Sequence, residues 1–286
     1  MQDLRDKVAV ITGGASGIGR AFADRCLEEG VKIVLADDEP GALDKAAQEL
    51  ASAGADVLAV RTDVSKPGSV EDLAKRVLDR YGAVHLLFNN AGVASSGPVW
   101  QNTLADWEWV LGVNLMGVVY GIRTFVPIML AQNADAHIVN TASMAGLLST
   151  PGLGIYNVTK HGVVTLSETL ALELQQAGAR INVSVLCPGW VRTQIWDSGR
   201  NRPADLRNGP TQPASNVPAV DARTAQIPEA IATGLLPEQV ADVVFDAIRR
   251  NRFYILTHPT WKPLIQQRME SILNDRGPAS GFGTAR

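Results

Sequence analysis

Short β-branched, apolar runs recur along the chain up to about residue 190: Val8–Ile11, Ile33–Leu35, Val57–Val60, Leu86–Phe88, Ile138–Val139 and Ile181–Leu186. Between them lie longer amphipathic stretches rich in Ala, Leu, Glu, Lys and Arg, such as Ala42–Leu50 and Val70–Tyr81. Strands alternating with helices predict βαβ units and a parallel sheet. The strands are apolar throughout rather than alternating, as expected when helices cover both faces. Right-handed crossovers then favour a doubly wound α/β sheet of three layers. A helix near Glu238–Arg250 and a strand at Phe253–Leu256 resume the pattern. Asp197–Gly234 interrupts it with Pro203, Pro210, Pro213, Pro218 and Pro228. A loop of that length inside a compact domain is often a binding element, so residues 190–235 are expected to form a substrate lid, with a passive surface loop as the alternative. The glycine-containing tail, 277–286, is expected to be flexible.

Composition narrows the class. With 286 residues, 46% of them hydrophobic, the chain suits a single α/β domain. It lacks an uninterrupted apolar run of about 18 residues, so no membrane association is expected. The charged start, Met1–Lys7, does not resemble a secretory signal. The net charge of −3 is spread along the chain, which excludes the clustered basic footprint of a nucleic-acid binder. Cys26 and Cys187 read as buried thiols of a cytoplasmic protein, with a disulfide as the alternative. No spacing of Cys, His or carboxylates suggests a metal site.

Candidate chemistry begins after the first strand, at Thr12-Gly13-Gly14-Ala15-Ser16-Gly17-Ile18-Gly19. Glycines there allow a sharp turn and close backbone approach, and the following helix offers free N–H groups and its positive dipole end to a pyrophosphate. An ordinary tight turn is the plain alternative. The second strand ends in Asp37-Asp38. An acid about twenty residues past the glycines, at a strand's carboxyl end, is placed to bind ribose hydroxyls. Like charges about 4 Å apart cost roughly 1 kcal/mol in water and nearer 4 at a protein surface. Asp37 therefore favours NAD over NADP.

Further on, Tyr156 and Lys160 stand four residues apart in a helical stretch and share a face. Oxidising an alcohol requires a base for the hydroxyl proton. A phenol with an ordinary pKa near 10 needs roughly 4 kcal/mol of differential stabilisation to serve near pH 7, and an adjacent ammonium is expected to supply much of it. In reduction the same phenol donates. Ser143, at the carboxyl end of the strand containing Ile138–Val139, can hold the substrate oxygen. Singly, these residues also read as a core tyrosine, a solvated lysine and a helix cap.

As an ordered set the motifs are more specific. Thr12–Gly19, Asp63-Val64, Asn89-Asn90-Ala91-Gly92, Asn114, Ser143, Tyr156-x-x-x-Lys160 and Pro188-Gly189 make the chain resemble the short-chain dehydrogenase/reductase family, from about Lys7 to Thr193 with a looser continuation to His258. The resemblance implies a Rossmann-type single domain that binds NAD. It implies that Asp63 and Val64 contact adenine, that Asn90, Ala91 and Gly92 line the cofactor with Asn89 bracing the sheet, and that Lys160 also bonds the nicotinamide ribose beside Tyr156. Pro188, Gly189, Val191 and Thr193 would border the carboxamide, and Asn114 would hold a relay water as a fourth catalytic residue. It also implies a homotetramer or homodimer built on helices near 107–128 and 154–174. The stretch Thr257–Pro263 is loosely similar to a subgroup acting on bulky aryl or lipophilic alcohols, lignin-derived aryl-ether dehydrogenases among them.

Segments that should face the nicotinamide are apolar: 94–100, Met144-Ala145, Leu153, Trp190 and Trp196. With Ala94, Ala145, Leu153, Trp190 and Trp196 as pocket residues, the expected substrate is a lipophilic or aromatic secondary alcohol or ketone. The competing readings are a catalytically silent NAD-binding sensor or scaffold on the same fold, and a dehydratase or epimerase, which usually carries a longer substrate domain.

Overall fold

The computed structural model describes residues 1–209 and 217–278. Seven strands form one parallel sheet in the order β3-β2-β1-β4-β5-β6-β7. They are β1 (Val8–Thr12), β2 (Lys32–Asp37), β3 (Val57–Arg61), β4 (Leu86–Asn89), β5 (Ala136–Thr141), β6 (Ile181–Cys187) and β7 (Tyr254–Leu256). Side chains alternate between faces along each strand, so each face carries its own core. Ala9, Ile11, Ile33, Leu35 and Phe88 pack beneath α1 (Gly17–Glu28), α2 (Pro40–Ser52) and α9 (Pro237–Arg249). Val8, Val10, Val34, Leu87 and Ile138 pack beneath α3 (Pro67–Tyr81), α5 (Gly117–Gln132) and α6 (Gly154–Gln176). This is the doubly wound, three-layer, single-domain fold expected from the pattern. Chain order reverses between β1 and β4, the switch point where ligands bind in such sheets.

Three features differ from the sequence expectations. The segment from 197 to 234 is not structureless. A 3-10 stretch Ile195–Asn201, a 3-10 turn Ala204–Leu206, α7 (Pro218–Thr224) and α8 (Ile227–Ala232) occupy it, and prolines at the starts of α7 and α8 initiate these short pieces instead of abolishing helix. The stretch after Leu256 folds as a 3-10 turn (Pro259–Trp261) and α10 (Lys262–Leu273), whose Leu264 and Ile265 pack toward Val163 and Cys187. The helix expected near 107–128 is two helices, α4 (Leu104–Leu111) and α5, joined by a π-helical turn (Gly112–Met116). Most of the tail from 277 onward, residues 279–286, lies outside the described residues, as do 210–216 of the lid segment.

By length and composition the continuous stretch Leu104–Gln132 could cross a membrane, although no single apolar run in it is that long. Here it packs on the sheet through Val118, Phe125 and Met129, with Asn114 buried beside the active-site cleft. Among the described residues no group of His, Cys, Asp and Glu is arranged to hold a metal ion, and both cysteines are free and buried.

Candidate active site

One cavity of about 450 Å³ runs along the carboxyl ends of the strands, from the β2–α2 turn to the lid segment. At one arm, the β1–α1 turn forms its wall. Gly13 and Gly17 have φ of +64° and +54°, in the left-handed region that only glycine adopts freely. A Cβ on Gly13 would lie 2.9 Å from the Ala91 Cα, and one on Gly19 would run into the Gly13 carbonyl oxygen. Gly19 thus permits turn packing rather than lining the cavity. Ser16 precedes α1 without a side-chain cap, so the first N–H groups of that helix are left for a ligand. Thr12 fixes the adjoining wall: its hydroxyl donates to the Phe88 carbonyl and accepts from Asn90 N–H at 2.9 Å and Ala91 N–H at 3.1 Å.

Asp37 closes this arm. Its carboxylate accepts from the Ala15 and Glu39 N–H groups, each at 3.1 Å. Burial raises its pKa in spite of these bonds. Arg61, the β3 residue opposite Asp37, binds Asp38 at 3.2 Å, so the Asp38 charge is offset from an element not adjacent in sequence. Asp63 and Val64 line the same arm. The Asp63 carboxylate is held by the backbone N–H and hydroxyl of Ser65, at 2.9 and 2.7 Å.

At the other arm, Ser143, Tyr156 and Lys160 line the floor together. Ser143 lies two residues past β5 and caps a 3-10 turn, its hydroxyl accepting from Ala145 N–H at 3.1 Å and donating to the Pro188 carbonyl at 3.4 Å. Tyr156 sits in the first turn of α6 and shares a hydrogen bond with Ser143. Lys160, one turn on, donates to the Thr141 carbonyl at 2.9 Å, and its Nζ lies 5.5 Å from the Tyr156 ring centre. Burial lowers the Lys160 ammonium to about 8. Burial also pushes the Tyr156 phenol up to about 12, against the opposing bond with Ser143. The expected drop toward neutrality is therefore not produced by the protein's own groups: the ammonium is bound to a carbonyl, and a low-dielectric site disfavours both charges.

Asn114 does not line the cavity. Both ends of its amide pair with the Val93 backbone, at 2.8 and 2.9 Å, and a Cβ on Gly92 would sit 3.5 Å from its Oδ1 and 3.6 Å from Lys160 Nζ. It stands behind Gly92 and Lys160, placed there by the π turn, a distortion that recurs at functional sites. Pro188, Gly189, Val191 and Thr193 form the wall after β6, with Asn90, Ala91 and Gly92 opposite. Asn89 braces β4 to β5 through Asn140 at 2.8 Å.

The five expected pocket residues, Ala94, Ala145, Leu153, Trp190 and Trp196, all line the cavity. Of the segment 94–100 only Ala94 does so; Trp100 is 73% exposed. Ile195, Leu206, Ile227, Ile231 and Trp261 complete the apolar end. None of these five was named as a pocket residue from sequence: four lie in the proline-interrupted segment 190–235 and Trp261 in the chain's last part. The lid segment is tied down at three points across the cleft. Arg200 binds Glu39 at 3.3 Å, the Ser198 hydroxyl accepts from Ala94 N–H at 2.8 Å, and Arg202 binds Asp106 at 2.6 Å. Only the last had a readable trace, Thr103-x-x-Asp106, which forms a capping box on α4.

Residues 7–204 match the family model for short chain dehydrogenase. The chain belongs to the short-chain dehydrogenase/reductase family. This is an oxidoreductase family, and the match ends at residue 204, inside the segment 190–235. A short-chain dehydrogenase/reductase from Burkholderia phymatum, solved in complex with NAD, is 48% identical and superposes with a TM-score of 0.94 over 99% of this chain and 100% of the other. The CLA biosynthesis dehydrogenase/reductase of Lactiplantibacillus plantarum is 39% identical, the alignment covering 97% of both. A C alpha-dehydrogenase of Sphingobium sp. is 33% identical over 97% of this chain and 89% of the relative. The glycine cradle, the uncapped helix start and Asp37 fit a dinucleotide of the kind seen in the Burkholderia structure.

Proposed function

We propose that the chain is an NAD-dependent alcohol dehydrogenase/ketone reductase acting on a lipophilic or aromatic secondary alcohol or ketone. The observation that carries this reading is the placement of Ser143, Tyr156 and Lys160 on the floor of one cavity, between an arm ending at Asp37 and an arm walled by Trp190, Trp196, Trp261 and Ile231. A bound nicotinamide supplies the hydride acceptor or donor.

In oxidation, Ser143 Oγ holds the substrate oxygen and Tyr156 Oη takes the hydroxyl proton as the carbinol carbon loses hydride. In reduction, Tyr156 returns that proton to the developing alkoxide. Lys160 places a positive charge beside the phenol and favours its ionised form in the transition state. Asn114 holds Val93 and so the Gly92 backbone against Lys160. Asp37 accepts the adenosine ribose hydroxyls and repels a 2′-phosphate.

The apolar end supports a lipophilic substrate, and the similarity to the dehydrogenase/reductase of Lactiplantibacillus and the C alpha-dehydrogenase of Sphingobium supports redox chemistry. Residues 190–235 act as the lid. Free buried thiols are consistent with a cytoplasmic setting. Exposed Leu130, Val158 and Leu172 on α5 and α6 suit a homodimer or homotetramer contact. The test is a screen of aryl, alicyclic and long-chain secondary alcohols with NAD and NADP, followed by reduced-cofactor absorbance. Turnover preferring NAD is expected; silence across the panel with retained NAD binding would favour the sensor reading.

A further inference from the structure

Beyond the matched region, β7 pairs with β6 in the register Cys187↔Leu256, which brings Thr257 and His258 alongside Pro188-Gly189. The His258 ring packs against Gly189. A Cβ there would be 2.8 Å from the ring Cγ and Nδ1, so only glycine admits the imidazole at that distance. Gly189 N–H donates to His258 Nδ1 at 3.2 Å and to Thr257 Oγ1 at 3.4 Å. The ring is also hydrogen-bonded to the Trp190 backbone. It packs 5.1 Å from the Trp261 ring, which meets Trp190 edge-on at 6.1 Å. His258 itself does not line the cavity, whereas Pro188, Gly189, Trp190 and Trp261 do. The Pro188 carbonyl in turn accepts from the Ser143 hydroxyl and from Met144 N–H.

We infer that His258 is a positioning residue of the active site: its imidazole fixes the Gly189-Trp190 peptide, and through it the Pro188 carbonyl that orients Ser143 and the indole that walls the substrate end. The inference rests on the proposed catalytic role of Ser143 for its kinetic consequence, and on hydrogen bonding to the Gly189 N–H together with packing for its structural one. Two substitutions separate hydrogen bonding from shape. His258→Asn keeps an acceptor near the Nδ1 position and loses the ring. His258→Phe keeps a ring against Gly189 and Trp261 and loses the acceptor.

The experiment measures kcat and KM with the best alcohol from the screen, NAD affinity, and the near-ultraviolet circular dichroism of the tryptophans, all on the full chain. His258→Phe should lower kcat by about 10- to 100-fold, the scale of loss when reacting groups are displaced by about an ångström. It should change the tryptophan dichroism and leave NAD affinity within about threefold. His258→Asn should keep kcat within about threefold of the parent and a parent-like dichroism. Parent-like behaviour of His258→Phe, or equal losses in both variants, would overturn the inference. If the parent protein is silent on every alcohol, the proposed function fails, yet the dichroism of the two variants still decides whether His258 sets Trp190.

Discussion

Arg202→Met tests how the segment proposed as the lid is held. The Arg202 guanidinium is nearly buried, binds Asp106 at 2.6 Å and lies 5.1 Å from the Trp109 ring centre. Asp106 is also bonded by Thr103 N–H at 2.8 Å and the Asn208 amide at 2.8 Å. Burial alone would raise the Asp106 carboxyl; the bonds from Thr103, Asn208 and Arg202 outweigh it and hold the carboxyl below its usual range. Methionine keeps the apolar stem and removes the charged hydrogen bond to Asp106 and the longer one to Asn208, the first at a cost of about 1.5–3 kcal/mol. That corresponds to roughly 10- to 150-fold in an equilibrium constant. The cost should fall on local opening, because Arg202 contacts α4 and not the sheet. Amide hydrogen exchange is the assay: protection at Arg202, Leu206 and Arg207 should fall by about that factor while β1, β4 and β5 keep theirs. KM should rise with kcat little changed, since Leu206 forms part of the apolar wall. The pH dependence follows from the lowered Asp106 carboxyl. Its stabilising contribution is fully present above the unfolded carboxylate pKa of about 3.9 and is lost as pH falls through the lower folded value. A uniform fall in protection across the sheet, or none in 202–207, would refute the local role.

Three further outcomes are expected. Asp37→Asn should narrow the NAD-over-NADP preference by about tenfold or more in kcat/KM; an unchanged ratio would assign the preference elsewhere. Ultraviolet difference titration of the protein alone against Tyr156→Phe should show no Tyr156 phenolate near neutrality, given a phenol pushed up to about 12; a step near pH 7 lost in the variant would contradict that. Gly121→Ala should lower thermal stability by about 1–3 kcal/mol, because the added methyl meets the Asn89 carboxamide that ties β4 to β5; a variant with parent-like melting would show that this contact relaxes freely.

What was readable in the chain is what local pattern encodes. The apolar strands of β1 through β6 and the helices between them follow from period and turn chemistry, so the layer order and the switch point follow too. The glycine turn, Asp37, Ser143, Tyr156 and Lys160 sit at strand ends or on one helical face and were placed by that logic together with the family resemblance. The failures share a cause. Arg61 reaches Asp38 from the adjacent strand, Arg202 reaches Asp106 across the cleft, and His258 reaches Gly189 through β6–β7 pairing. None of these leaves a periodic trace, and prolines in 197–234 concealed short helices that begin with them.

The protonation of the central pair shows why proximity in sequence did not determine chemistry. A spacing of four residues brought Lys160 beneath Tyr156, yet the ammonium spends its shortest bond on the Thr141 carbonyl. Both side chains are pushed toward their neutral forms, the lysine to about 8 and the tyrosine to about 12. One unit of pKa is 1.36 kcal/mol, so returning a phenol from about 12 to neutrality requires roughly 7 kcal/mol of stabilisation that arrives only with charge entering the cavity. In the proposed mechanism the Tyr156 phenol therefore stays neutral until a charged ligand enters the cavity. The same cavity is walled from one side by the segment 190–235 and from the other by Trp261 after β7, so residues outside the matched region line it too.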